Sequence, residues 1–246
     1  MIKRHRAQEM QEGVGVNVKR LMPIAGFRNY DPFVLWDDFT ITPGNGFPDH
    51  PHRGFEAITY LFGGSIKHTD NLGNSSTVTS GGAQRFTAGR GIVHSEMPNE
   101  SAPTRGIQFW INLPGRLKQV DPEYQQVDDG EFPLDDEANG VRIKVLVGEG
   151  SPLLIKTVIR YLDIELSDGG SHTEQIEEGM RGFIYVADGD VLINQQPHRS
   201  GESAFFENEE EMVIGHAGSS GEKSRVMMAY GRPHGEPIIQ YGPYVD

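Results

Sequence analysis

The sequence predicts an all-β protein, with two antiparallel β-barrels in a single chain. Three observations lead there. Helical periodicity is weak throughout, and the apolar residues fall into short β-type runs separated by Gly, Asp, Asn and Ser clusters. The 246 residues include 31 glycines and 15 prolines, more turn-formers than an average globular chain carries. The segment "RGFEAITYLFGGSI", Arg53 to Ile66, is matched in type by "RGFIYVADGDVLI", Arg181 to Ile193. Each is a β-rich run ending in a glycine turn, which signals a duplication. A chain of this length can bury a sizeable core, as one large all-β domain or two small ones.

In order, the predicted strands begin with "EAITYLFGG", closed by a Gly pair, and "RGIQFWINL", closed by Pro114. "VRIKVLVGE" and "IRYLDIELSDG" run into Gly-containing turns, and "GFIYVADGDVLIN" turns at Gly189. "SAFFE", "EMVIGHAG" and "SRVMMAYG" complete the set, bounded by Asn, Gly and Ser. The one long break is "PGRLKQVDPEYQQVDDGEFPLDDEANG", Pro114 to Gly140, polar and acidic, expected to be a linker with some irregular structure. The expected domains are residues 1–125, a metal-binding barrel, and 126–246, a barrel without metal.

Composition narrows the function classes. A net charge of −13 repels phosphate backbones and argues against direct nucleic-acid binding. The basic start "MIKRHRAQEM" is not followed by an apolar stretch, so neither a signal peptide nor a membrane span is expected. The absence of cysteine removes disulfides, thiolate ligands and cysteine nucleophiles. It agrees with a cytoplasmic location.

The chemistry concentrates in histidines. In "FPDHPHRGFE", His50 and His52 are two apart, so on a strand they aim two imidazoles at one point. Pro51 between them cannot donate to a ladder, which places the segment at a strand start or a sheet edge. "AGRGIVHSEMP" supplies His94 and Glu96 at the same spacing. Together they offer three nitrogens and a carboxylate, a donor set for Fe, Mn, Co, Ni, Cu or Zn with two octahedral positions left for water, O₂ or a chelating substrate. Glu56 competes for the carboxylate place. Glu96 shares a strand face with His94, whereas Glu56 follows a Gly-containing stretch of uncertain register.

These residues match a longer pattern. Gly44, five residues, His50-Pro-His52, three residues, Glu56, six residues and Gly63 reproduce the first motif of the cupin superfamily. The second motif fits less well: Gly91 and His94 are in place, but Gly89 stands where the motif has Pro and Pro98 where it has Asn. "DPFVLWDDF", "GFPDHPHRGFEAITYL", "TAGRGIVHSEMP", "GIQFWINLP" and "GEPIIQYGPYV" resemble the pirin family of bicupins. That resemblance implies two cupin barrels, with one Fe(II), or another first-row divalent ion, held by His50, His52, His94 and Glu96. It assigns the carboxylate to Glu96 and leaves Glu56 to orient a ligand imidazole or to pair with an arginine.

The same resemblance implies quercetin 2,3-dioxygenase activity: a flavonol chelates the metal through adjacent oxygens, O₂ is inserted, and Glu96 doubles as the base. Phe47, Phe55, Phe109 and Trp110 are candidate walls for a flat aromatic substrate, each otherwise a core residue. The other reading is an iron-dependent redox-sensing regulatory module that binds a protein partner through its acidic surface without turnover. The lack of a Lys/Arg localisation cluster lowers it.

In the second half, aligning Gly64 with Gly189 places Gln175 and Glu177 opposite His50 and His52. Aligning Gly81 with Gly201 places Ile214 opposite His94. His172 and His216 are read as non-ligands, His198 and His234 as surface residues and His68 as structural. The chain ends at "GPYVD", short of the longer pirins, and this is expected to leave the first barrel more open.

Overall fold

The computed structural model describes residues 2–12, 15–99, 102–137 and 140–246. All eight predicted runs are strands. The chain forms two compact units. One, the N-terminal unit, comprises Gln8–Glu131, Pro152–Thr157 and His234–Asp246. The other, the C-terminal unit, comprises the residues up to Ala7, Phe132–Ser151 and Val158–Pro233. The division therefore differs from a single cut between 125 and 126, because the first strand and the last residues are each hydrogen-bonded into the unit built mainly from the other half.

In the N-terminal unit a seven-stranded antiparallel sheet runs Glu123–Val127, Ala83–Thr87, Phe55–Gly63, Thr104–Asn112, Phe33–Ile41, Val16–Met22, Gln8–Gln11. A four-stranded sheet runs Phe47–His52, Ile92–Pro98, Ser65–Asp70, Ser75–Thr79. The C-terminal unit repeats this plan. Its larger sheet runs Lys3–Arg6, Glu202–Glu207, Arg181–Asp188, Ser224–Gly231, Ile159–Leu166, Val141–Val147, Leu134–Glu137. Its smaller sheet runs Ser171–Gln175, Glu211–His216, Asp190–Ile193, Gln196–Arg199. Lys3–Arg6 takes the place that Glu123–Val127 holds in the first unit. The sheets stay separate in hydrogen bonding, so the units are cupin-type without being closed barrels.

The expected linker is more ordered than its composition suggests. Glu123–Val127 pairs with Ala83–Thr87, and Leu134–Glu137 pairs with Val141–Val147. Both are short and polar and flank the central strands, where one face can remain solvated.

Core packing follows strand alternation. Leu35, Phe55, Ala57, Phe86, Ile92 and Trp110 form one buried cluster of the N-terminal unit, and Val18, Phe39, Ile41, Leu61, Ile66 and Val78 another. Each Val, Leu, Ile or Phe side chain among them withdrawn from water contributes roughly 1.5–3 kcal/mol. In the C-terminal unit Ile164, Ile184, Phe206, Met212, Ile214 and Met228 belong to one apolar cluster. Counting from the turn glycines Gly64 and Gly189, the registers Pro98↔Ile66 and His216↔Val191 align His94 with Met212 and Glu96 with Ile214. The cross-strand pairs His94↔His50 and Met212↔Glu174 then align His50 with Glu174. The sequence offsets that chose Gln175, Glu177 and Ile214 miss these pairings, because loops of unequal length separate the repeated strands.

The chain's end is clamped at Arg53 and Gly54, just after the first histidine pair. Val245 N donates to Arg53 O (3.0 Å), and Arg53 pairs with Asp246 (2.9 Å). Lys118 Nζ donates to Gly54 O, Asn112 Oδ1 and Val245 O at 3.0, 2.6 and 2.9 Å. Gly54 has φ +86°, and an added Cβ would lie 1.8 Å from Val245 O. Gly54→Ala should therefore combine left-handed strain with a backbone clash and lower stability by about 1–3 kcal/mol in thermal or urea unfolding. An unchanged midpoint would contradict the clamp.

Candidate metal centre

The site is built on the small sheet of the N-terminal unit. Phe47–His52 is its edge strand, which is where Pro51 can sit, and His50 lies directly opposite His94. The turn Ala88–Gly91, closed by Gly91 N donating to Ala88 O (2.8 Å), delivers the chain into Ile92–Pro98. One ring nitrogen from each of His50, His52 and His94 falls within 4.8 Å of the others. Among the described residues this is the one group of three or more His, Asp or Glu side chains with that geometry.

Each ring is held by its Nδ1. His50 Nδ1 lies 2.8 Å from Pro48 O and His52 Nδ1 lies 3.3 Å from Pro243 O. His94 Nδ1 lies 3.4 Å from His68 Nδ1. The Nε2 atoms are left for the common point, and His94 Nε2 is buried without a hydrogen-bond partner. An orphaned buried nitrogen costs free energy unless something binds it, so the residues present fit a first-row divalent ion. Aromatic rings pack around the imidazoles. His52 stacks on Phe86 (5.3 Å) and meets Phe55 and Trp110 edge-on, and Phe86 also meets His94 (4.6 Å).

This packing sets the protonation. Burial, then the charges of the neighbouring imidazoles, pushes His52 down to about 3 and His94 to about 2, from 6.5. Both rings are neutral at ordinary pH, as ligands must be.

Glu96 is buried on the same strand face as His94 but stands outside the 4.8 Å group. Its carboxylate accepts from Thr59 Oγ1 (2.8 Å) and Gln84 Nε2 (2.6 Å) on Oε1, and from Gln108 Nε2 (3.1 Å) on Oε2. A register shift in the edge strand contributes to the offset: His94 pairs with His50, but Glu96 pairs with Phe47.

Glu56 has another task. Phe55 and Ala57 join the aromatic cluster beside His52, so Glu56 between them faces the opposite side. There it accepts from Thr87 Oγ1 (2.9 Å), Lys156 N (2.8 Å) and Thr157 N (3.2 Å), tying Pro152–Thr157 to the unit rather than orienting a ligand imidazole. Burial raises its pKa, against the pull of those hydrogen bonds.

Beside the histidines lies a cavity of about 560 Å³. Phe47, Leu35 and Trp110 give it apolar walls; Arg20, Asp37, Arg28, Gln108 and Glu96 give it polar ones. Arg20 forms a two-point pair with Asp37 (2.8 and 2.6 Å). Two of the expected wall residues lie elsewhere. Phe55 stacks beneath Trp110 (4.1 Å), and Phe109, one residue from Trp110, points through the sheet onto Phe33 and Trp36. Gln240, Gly242 and Pro243 line the cavity, so the last residues form part of its wall, and His50 remains partly exposed.

Sequence reasoning missed the groups behind the ligands: Thr59, Gln84, Gln108, Tyr124 and the pair His68 and Asp70. Only His68-x-Asp70 carried a readable signal, two polar residues on one strand face. His198, expected at the surface, is buried, and His234 bonds Asn112 O through Nε2 (2.9 Å). No helix among the described residues is long and apolar enough to cross a membrane.

A family model described as Pirin matches residues 13–111, and one described as Pirin C-terminal cupin domain matches 161–246. The chain is 38% identical over 256 residues to Pirin of Homo sapiens, an alignment covering 97% of this chain and 84% of that protein. A quercetin 2,3-dioxygenase structure from Acinetobacter baumannii is similar with TM-score 0.87 and 26% identity, covering 99% of this chain and 90% of that one. A bacterial pirin, YhhW, from Escherichia coli in complex with nickel(II) is similar with TM-score 0.77 and 25% identity, covering 95% and 99%.

Two outcomes follow from the geometry. Glu56→Ala should leave the amides of Lys156 and Thr157 short of an acceptor and lower stability by about 1–3 kcal/mol, with metal content unchanged on elemental analysis. Loss of metal with stability intact would reverse the assignment. In metal-free protein, unfolded His52 takes up a proton below 6.5 while the folded form resists until about 3. The unfolded state binds more protons in that window, so stability falls as pH drops through it, by up to about 1.4 kcal/mol per unit for one histidine. Urea unfolding of His52→Gln across the window should show a shallower slope than the parent; an identical slope would refute the shift.

Proposed function

The chain belongs to the pirin family, and on that premise we propose that it is a metal-dependent oxidoreductase of the quercetin 2,3-dioxygenase type, with Fe(II) as its resident ion. The observation that carries this is the convergence of three imidazoles beside a partly apolar cavity. The cavity volume lies within the range of roughly 300–1,000 Å³ usual for small-molecule sites. The similarity to a solved quercetin 2,3-dioxygenase supports the reaction type, and the similarity to a nickel-bound bacterial pirin supports a resident divalent metal.

In this reading His50, His52 and His94 hold the ion through Nε2, and Glu96 is the fourth ligand. When bound, the ion supplies coordination positions and one-electron chemistry to a chelating flavonol and O₂. The protein does the rest. Phe47 and Trp110 sandwich a flat ring system, and Leu35 closes the apolar side. Glu96, whose carboxylate lines the cavity, is the acceptor for the flavonol hydroxyl proton. The aromatic packing around His52 and His94 keeps bulk water from the ligand nitrogens.

Iron-loaded protein, mixed with quercetin anaerobically and then exposed to O₂, should consume O₂ in proportion to substrate lost. His94→Ala should lose most of its metal and all of this uptake. No turnover of quercetin or of a small flavonol and catechol panel by fully iron-loaded protein would overturn the enzyme reading in favour of a regulatory binding module.

A further inference from the structure

Behind His94 lies a buried pair that the proposed chemistry does not use. Ser65–Asp70 runs alongside Ile92–Pro98, with Asp70 opposite His94 and His68 opposite Glu96. The side chains of His68 and Asp70 are both fully buried. His68 Nε2 lies 3.0 Å from Asp70 Oδ2, and His68 Nδ1 lies 3.4 Å from His94 Nδ1.

The proton positions in this chain follow from Asp70. Its Oδ1 accepts from Leu72 N (2.9 Å) and Asn74 N (3.0 Å), and its Oδ2 from Asn74 Nδ2 (2.8 Å). A carboxylate surrounded by donors is ionised and can only accept. His68 therefore donates Nε2–H to it and keeps a lone pair at Nδ1. His94 Nδ1 faces that lone pair, so it carries the proton, and His94 Nε2 is left as the free donor atom at the common point. The opposite arrangement would bury a His94 Nε2–H with no acceptor. Tyr124 fixes the His68 ring by stacking on it at 4.0 Å. Its hydroxyl donates to Gln84 Oε1 (3.1 Å), and Gln84 in turn donates to Glu96.

We infer that Asp70 and His68 are a positioning pair for His94: they set its tautomer and raise the basicity of its Nε2, tightening the metal site from behind. This rests on His94 being a metal ligand, as proposed above. Supports of this kind are worth about 10–100-fold in metal affinity.

The test uses the full chain and two readouts other than turnover. In His68→Phe a ring still stacks on Tyr124, but both nitrogens are gone. Competition with a chelator should show Ni(II) and Fe(II) bound about 10–100-fold more weakly than by the parent. The Fe(III)/Fe(II) potential should rise, because a less basic imidazole stabilises the oxidised ion less; a purely structural role for His68 would not move it. Asp70→Asn keeps an oxygen to cap the turn and should weaken affinity in the same direction. Nitrogen-15 spectra of the metal-free parent should place the His94 proton on Nδ1, a readout that holds even if a variant fails to fold. Metal affinity within about twofold of the parent together with an unchanged potential, or a His94 proton on Nε2, would overturn the inference alone. A parent protein that binds neither ion would overturn the proposed metal site together with it.

Discussion

His50 and His94 face each other across one antiparallel strand pair, and the whole site hangs on that register. A slip of either strand by one residue would turn its imidazole to the other face of the sheet and bring a neighbour such as Pro51 or Val93 into its place. Several features pin it. Pro51 keeps the strand at the edge, the Ala88–Gly91 turn delivers the partner strand, and Ser65–Asp70 pairs regularly with that partner on its far side.

A register held this firmly allows an otherwise costly arrangement. Three imidazoles converge in an aromatic pocket, and burial with repulsion from neighbouring imidazoles drives His52 and His94 well below their ordinary titration range. The ligand Nδ1 atoms and the Glu96 oxygens each have a partner. Backbone carbonyls of Pro48 and Pro243 and the His68 ring take the Nδ1 positions, and Thr59, Gln84 and Gln108 take the Glu96 oxygens. Lys118 pins the tail that brings Pro243 to His52, although burial lowers its own pKa to about 8. The folded unit thus presents neutral nitrogens at His52 and His94, and little reorganisation is needed for an ion to bind.

The two units show the same plan under different constraints. In the N-terminal unit the inner face of the small sheet carries His50, His94 and Glu96. At the aligned positions the C-terminal unit has Glu174, Met212 and Ile214. Met212 and Ile214 join its apolar cluster, and Glu174 is taken up by Arg160 (2.6 Å), Tyr230 (2.7 Å) and His172 (3.0 Å). One topology can enclose either a polar pocket or a packed core, because strand alternation only decides which residues point inward; their identities decide what fills the space.

By itself the sequence determined the local, periodic features: the all-β class, the eight strand runs, the duplication, and the two i, i+2 pairs that aim His50 with His52 and His94 with Glu96. These depend on a strand period of two and on turn residues, which are properties of neighbouring positions. Only the tertiary structure decided what depends on cross-strand register and chain path. It turned Glu56 away to hold Lys156 and Thr157, sent Phe109 through the sheet while Trp110 stayed at the cavity, and found strands in the polar stretch before Gly140. It also set His68 and Asp70 behind His94, and brought Pro243, almost 200 residues along the chain, onto His52. No local pattern encodes these contacts, because each needs the energy of a whole sheet to bring distant segments together.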